Sequence, residues 1–488
     1  MKGNSLFQNL QWLGTASIVS KPIWFLFLIY VARVLGPADF GAYLALFSLS
    51  LLLSSVLELG LDVQITQSIS KSKEDILRLA TQSILVRFGT AIILCLFGAG
   101  VFSLFYKDTY LPVVFAAAFS IGVVQFMQNH FRAIFRGMER LDFESVSLIL
   151  EKIGVPLFMV VWIGSSPTFE FFLISLASSL SVSLSCTFIL LVVGIWRIHN
   201  RTGSKKSIHF STLVRDAFPF AVMNFSLIWF ARIGSTLIER VLSQKDAGYL
   251  GVGTRFLDAL TVIPSTLSGV VYPVLCRITN KPSLFSELYF TTSRLANAAT
   301  LIVVGLLFFF SEEITFLVFG EEYLAASSVV KIYSLTILCL SQIFVFGAAV
   351  AALRRQHIAN KWLVASVGSS LLLYILLLPK LTVDGFAWLA LIDQGLIFIS
   401  NIIALRGIIY VKEPLFNIAK GLLVFLFWVG IEWLLSSFNI TIFTIQIGSQ
   451  QFSLLTIIIY LFFVLSLWVT GVIQYRDGQQ FMSLNRRL

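Results

Sequence analysis

The sequence predicts an all-α membrane protein of about fourteen transmembrane helices, arranged as two six-helix lobes followed by a C-terminal helical hairpin. Three observations carry this. Hydrophobic residues make up 57% of the chain and charged residues 12%, where a soluble domain carries roughly 25% charged residues. Long apolar runs alternate with short charged connections from one end to the other. The stretch Arg33–Tyr43 (Arg-Val-Leu-Gly-Pro-Ala-Asp-Phe-Gly-Ala-Tyr) returns at Arg240–Tyr249 as Arg-Val-Leu-Ser-Gln-Lys-Asp-Ala-Gly-Tyr, so that Arg33, Asp39 and Gly41 match Arg240, Asp246 and Gly248. A tight turn alone favours Pro, Asp and Gly. The copies, however, stand about 207 residues apart at equivalent points of two apolar arrays, and read as one hairpin tip in two halves of a duplicated protein.

A span needs about 20 mostly apolar residues. The first six runs fall at roughly 12–32, 40–62, 82–105, 111–130, 146–163 and 170–196. The next six fall at roughly 217–239, 248–273, 288–311, 325–353, 361–379 and 384–405, and the last two at roughly 418–438 and 452–474. The first run is long, is interrupted by Lys21 and is followed by no small-residue cleavage site, so it reads as a span and not as a cleavable signal. Pro22 predicts a kink or loosening in span 1, and Pro264 a bend in span 8. Spans 5 and 6 carry many serines between Ser145 and Ser185, small residues that let helices approach closely. The run at 325–353 is long enough to tilt or to end in an extra turn.

Loop charges orient the array. With a cytoplasmic N-terminus, the inner connections hold Lys71, Lys73, Arg78, Arg132, Arg136, Arg140, Arg197, Arg201, Lys205, Lys206 and Arg215. They continue with Arg277, Lys281, Arg354, Arg355, Lys361, Arg406 and Lys412, and with Arg476, Arg486 and Arg487 of the tail. The outer connections hold only Arg33, Lys107, Arg240, Lys245 and Lys380, beside the acidic Glu312, Glu313, Glu321 and Glu322. Positive charge collects on the cytoplasmic side, so both termini are expected there. The longest basic connection, Arg197–Arg215, divides the core. Residues 1–197 form a first lobe, 198–216 a linker, 217–405 a second lobe, and 406–488 the accessory spans 13 and 14 with the tail. A second correspondence sets Arg136 after span 4 against Arg354 after span 10. Six spans per repeat bring both repeats in from the same side, about a pseudo-two-fold along the membrane normal, with a cleft between them.

Several classes drop out. The formal charge of +10 is spread over short loops and forms no patch for nucleic acid. Cys95, Cys186, Cys276 and Cys339 give neither a disulfide framework nor a metal spacing, and His130, His199, His209 and His357 form no zinc motif. No Gly-Lys dipeptide occurs, so there is no P-loop. No outer loop exceeds roughly a dozen residues, which disfavours a membrane glycosyltransferase or polymerase.

The sharpest feature is Lys21. It stands about nine residues from either end of span 1, roughly 14 Å at 1.5 Å per residue, too deep to snorkel. A charge there costs about 2.5–3.5 kcal/mol on insertion scales, so it must meet water, a carboxylate or a ligand. Arg232 in span 7, with Asn224 two turns before it, adds polar groups to the expected cleft. Arg255 and Asp258 sit three apart on one face of span 8 and read as a local pair, though a guanidinium keeps donors to spare. Asp393, central in span 12, suits structural pairing or ion coupling. Glu58, Asp62, Arg87, Glu151 and Lys152 lie nearer the cytoplasmic ends and read mainly as stabilisers of span ends, and Glu432 in span 13 has no evident partner in the sequence.

Ala32-Arg33-Val34-Leu35-Gly36-Pro37-Ala38-Asp39-Phe40-Gly41-Ala42-Tyr43 resembles the first hairpin of the polysaccharide-biosynthesis flippases of the multidrug, oligosaccharidyl-lipid and polysaccharide exporter superfamily. Glu58-Leu59-Gly60-Leu61 and Phe135-Arg136-Gly137-Met138-Glu139-Arg140 resemble later features of the same family, so the specific likeness covers about the first 150 residues. The resemblance implies two six-helix lobes in a V, alternating access, and transfer of undecaprenyl-pyrophosphate-linked oligosaccharide (O-antigen, exopolysaccharide or capsule units) across the bacterial inner membrane. It implies a transporter, not an enzyme, and it assigns no substrate residues.

The residues agree with such a substrate. Moving a polar head through hydrocarbon costs several kcal/mol per unsatisfied group, and a wet cleft holding Lys21, Asn224, Arg232 and Arg255 lowers that cost. Asp258 and Asp393 are the candidates for ion coupling or pairing. No cofactor and no metal are expected, and the drive expected is a proton or sodium gradient, at about 2.3 kcal/mol per charge per 100 mV. Expected partners are the bilayer, the lipid-linked oligosaccharide, and the polymerase and glycosyltransferases of a polysaccharide pathway. Two other transporters compete: a flippase for the peptidoglycan lipid precursor, and a cation-coupled multidrug exporter, which would want acidic groups where span 1 has Lys21.

Overall fold

The computed structural model describes residues 6–58, 60–71, 76–163, 168–199, 210–377, 380–407, 412–437, 444–447 and 450–472. The linker residues Thr202 to Lys206 and the basic tail lie outside them. The described residues are helical nearly throughout, and the chain forms two compact units, Met1–Gly248 and Tyr249–Leu488.

In the first unit, α1 (Leu6–Leu57) contains spans 1 and 2 in one run, turned at Gly36. There φ is 73° and ψ 172°, a backbone that only glycine adopts without strain. Pro37 then opens the second segment, with its φ preset and its missing N–H of no consequence in a first turn. Pro22 sits in helical backbone, where it has no N–H to give the ladder, and the non-helical break in α1 is at Gly36, between spans 1 and 2. A short amphipathic helix, α2 (Leu61–Lys71), follows, then α3 (Ile76–Val101) with a π-helical turn at its end, and α4 (Pro112–Gly137). Span 5 is α5 (Leu141–Ile149) and α6 (Val155–Ile163), joined by a π-helical turn at Leu150–Gly154. Spans 6 and 7 are α7 (Phe169–His199) and α8 (Phe210–Val241). Leu61, Ile65, Phe131, Phe135 and Leu191 centre one apolar core. Beside it Gln128 donates to Ser183 and Thr187 at 3.3 and 3.2 Å, so the serine-rich span serves helix packing as its composition suggests.

Span 8 breaks between α9 (Gln244–Leu260) and α10 (Val262–Arg277). Pro264 cannot donate to residue 260, and the helix restarts just ahead of it, which is the expected bend. The boundary between the units falls inside α9, so α8, the first helix of the second repeat, packs within the first unit. Then come α11 (Pro282–Phe309), the short acidic α12 (Ser311–Phe319), α13 (Ser327–Ala352) entered through a 3₁₀ turn, α14 (Gln356–Leu377) and α15 (Val383–Leu405). The last spans are α16 (Lys412–Ser437) and α17 (Leu454–Val469). Between them β1 (Thr444–Ile447) and β2 (Gln450–Ser453) form an antiparallel hairpin, the one departure from an all-α chain among the described residues. Ser293 to Gln342, Thr300 to Ser341 and Asn297 to Asn417 tie the helices of this unit at 2.8, 2.9 and 2.9 Å. Phe308, Phe309, Phe425, Phe463 and Tyr460 seat α16 and α17 on α11.

Each of the fourteen expected spans has its helix. Ten helical stretches among the described residues are long and apolar enough to cross a membrane; α1 supplies two spans, and span 5, α8 and α17 complete the set. The turns after spans 4 and 10 are the same object. Met138, Glu139 and Arg140 donate to Ile134, Arg136 and Phe135, just as Leu353, Arg354 and Arg355 donate to Ala349, Ala351 and Val350. Glu139 and Arg354 both adopt positive φ, 58° and 56°. This geometry corrects the register: Arg354 corresponds to Glu139, and Ala351 stands where the first repeat has Arg136.

Candidate functional site

Lys21 lies exposed on α1, and among the described residues it has no ion-pair partner. One turn on, the half-buried Trp24 lies under the ammonium of Lys152, whose Nζ is 4.0 Å from the indole centroid. Lys152 comes from the π-helical turn of span 5, as does Glu151. The Glu151 carboxylate, 1% exposed, is shared by Lys152 at 2.6 Å and by the guanidinium of Arg132. Arg132 is held in turn by Ser147, through its Oγ at 3.1 Å and its carbonyl at 3.2 Å. The sequence reads Glu151 and Lys152 as span-end stabilisers; the structure sets them on a π turn in mid-span, which hydrophobic periodicity does not register.

Asn224 and Arg232, both on α8, fall against α1. The Asn224 amide donates to the carboxylate of Glu58, just past the end of α1, and the Arg232 guanidinium stands 5.9 Å from the Phe47 ring centroid. At the outer end of α8 the Tyr110 hydroxyl donates to Glu239 and accepts from Gln244 at 2.9 Å, while Arg240 covers the Tyr106 ring at 3.9 Å. Ser243 caps α9, its Oγ taking the Asp246 N–H at 3.1 Å. Toward the inner end, Asp62 pairs with the fully buried Arg87 and lies 2.8 Å from His130 Nδ1. Phe126 closes over the Arg87 guanidinium at 3.8 Å. Arg136 reaches Glu144 at 3.2 Å. Each of these carboxylates is paired within the first unit.

In the second unit the Arg255 guanidinium lies 3.4 Å from Asp258, the local pair the spacing implies. Arg255 is buried and its Nε has no partner, whereas Asp258 is exposed. Asp393 is buried in α15, faced by the hydroxyls of Ser370 and Tyr374, and among the described residues it makes no ion pair. Glu432 on α16 lies near Lys331. The sequence candidates therefore fall into four places: Lys21 on α1, Asn224 with Arg232 on α8, Arg255 with Asp258 on α9, and Asp393 on α15. Among the described residues no group of His, Cys, Asp and Glu is placed to hold a metal ion.

No curated protein matches the chain in sequence. Among solved structures, the chain is similar to the lipid II flippase MurJ in its inward closed conformation, at 18% identity over 95% of this chain and 99% of that one, with a TM-score of 0.59. It is similar to a MATE protein in complex with MaD3S, at 13% identity over 83% and 96%, with a TM-score of 0.56. A transporter of the MOP superfamily from Pyrococcus furiosus matches to the same degree, with 13% identity, 83% and 96% coverage and a TM-score of 0.56. At such identities the likeness is one of fold. Residues 6–279, more than half of the chain, match the family described as polysaccharide biosynthesis protein, and the chain belongs to that family.

Proposed function

We propose that this chain is a transporter, not an enzyme: a flippase that carries undecaprenyl-pyrophosphate-linked oligosaccharide units of O-antigen, exopolysaccharide or capsule across the bacterial inner membrane. Lys21 is the observation that carries the reading. An exposed ammonium midway along a membrane helix, with no carboxylate beside it among the described residues, is expensive unless it meets water or an anion. A polysaccharide pathway supplies such an anion as the diphosphate of its lipid carrier. Asn224, Arg232 and Arg255 are the further groups assigned to the head and glycan, while the polyprenyl tail stays in lipid. Asp258 and Asp393 are the candidates for coupling to protons or sodium. The termini lie in the cytoplasm, and the polymerase and glycosyltransferases of the same pathway are the partners.

A second reading has one observation of its own. The likeness to MurJ covers 95% of the chain, against 83% for the MATE protein in complex with MaD3S. That favours a substrate like the lipid II of MurJ's name, again a diphosphate head on a polyprenyl tail. Reconstitution tests both. Purified protein in liposomes, without ATP, moves a fluorescent polyprenyl-diphosphate-linked oligosaccharide between leaflets. Preference for lipid II over the oligosaccharide would favour the second reading, and elongation of glycans or export of organic cations would sink both.

A further inference from the structure

Span 5 carries a π-helical turn midway along its length, at Leu150–Gly154. Such turns store an irregularity that regular helix avoids, and they concentrate at functional sites. Here the turn presents two neighbouring charges to different surroundings. Glu151 is buried against Arg132, and Lys152 keeps 23% of its side chain exposed over Trp24.

The charges of this cluster do not cancel. Lys21, Arg132 and Lys152 are cations, and Glu151 is the carboxylate that Arg132 and Lys152 share. Glu144 and Arg136, at 3.2 Å, cancel each other at the inner side of the cluster, so two positive charges are left over among spans 1, 4 and 5, where each uncompensated charge is costly. A diphosphate diester carries two negative charges. Lys21 stands one helical turn from Trp24, on the same face, and Lys152 covers the indole of that same Trp24, so one aromatic ring relates the two ammonium groups. The indole also restrains Lys152, a flexible side chain that otherwise loses rotamer entropy when it takes one position. Lys152 has three N–H donors; Glu151 uses one and the ring face a second, which leaves a donor for a ligand oxygen.

We propose that Lys152, positioned by the π turn and by Trp24, completes with Lys21 the seat of the diphosphate group, so that the chain selects lipid carriers with two phosphates over those with one. The inference rests on the flippase reading and adds the residue that counts phosphates. Its test is equilibrium binding of two probes, farnesyl-diphospho-N-acetylglucosamine and farnesyl-phospho-N-acetylglucosamine, to the full chain in nanodiscs. The unsubstituted chain binds the diphosphate at least about tenfold more tightly, the size of one charge-assisted hydrogen bond. Lys152→Met removes most of that preference, leaves monophosphate binding within about twofold, and Lys152→Arg restores part of it. Trp24→Leu, which keeps the Lys152–Glu151 pair, gives the same selective loss. A diphosphate preference that survives both Lys152→Met and Trp24→Leu overturns the inference, and so does an equal loss of both probes, which marks a purely structural role. If the unsubstituted chain binds neither probe, the flippase reading falls along with it; if it binds both and only the substitutions fail to act, the flippase reading stands and this inference alone is lost.

Discussion

Gly41 and Gly248, the matching glycines of the two hairpin tips, lie against each other's backbone. A β-carbon on Gly41 would strike the carbonyl oxygen of Gln244, and one on Gly248 would strike that of Pro37. The motif spacing that marks the duplication is therefore also a packing requirement. Arg33–Tyr43 and Arg240–Tyr249 keep glycine because each tip is the other's neighbour. Main-chain atoms cannot move aside as a side-chain end can. Gly41→Ala and Gly248→Ala are expected to destabilise by about 1–3 kcal/mol, as overpacking does. Gly100→Ala, with nothing within 4 Å of its β-carbon, is the control and should melt like the parent. Thermal unfolding of the three purified proteins decides it, and a Gly41→Ala protein as stable as Gly100→Ala would contradict the close approach.

Arg87 makes a second prediction. Its guanidinium is fully buried between Asp62, His130 and Phe126. Removing one member of such a pair leaves the other charge uncompensated, at roughly 3–5 kcal/mol. Arg87→Met should lower membrane abundance sharply, and Asp62→Asn in the same chain should recover part of it. Unchanged abundance of the single variant would remove the structural role.

The topology prediction comes from loop charge. Cysteines placed at Ser204, in the basic connection between the two repeats, and at Glu322, in the acidic outer segment, are expected to label from opposite sides of the membrane in a cysteine-free background. Labelling from the same side would break the count of fourteen spans.

How much of this was legible beforehand depends on which property carries the signal. The spans were, because transfer from water to hydrocarbon is nearly additive along a run of residues. The tips were, because a turn needs particular residues at particular places, and Gly36 and Pro37 are such residues. Pro22 removes one ladder donor while the backbone around it stays in helical φ/ψ, so its effect is local. The correspondence of Arg136 with Arg354 was off by three residues because basic side chains near an inner turn serve topology at any of several positions, whereas the backbone hydrogen bonds of the turn admit only one register. The site was legible as a list and not as groupings. Lys21 announced itself by depth alone, and Arg255 with Asp258 by spacing. Asn224 with Glu58, and Lys152 with Trp24, join residues more than a hundred positions apart, and no local pattern encodes those contacts.

Lys21 tests the central claim most directly. The measurement is export of the chain's own lipid-linked glycan in a deletion strain, read together with membrane abundance, for Lys21→Ala, Lys21→Arg and Lys21→Glu. A cation that meets the diphosphate during transfer predicts normal abundance for all three, with loss of export for Lys21→Ala, partial export for Lys21→Arg, and export by Lys21→Glu no better than by Lys21→Ala. Normal glycan export by well-expressed Lys21→Ala would contradict the account.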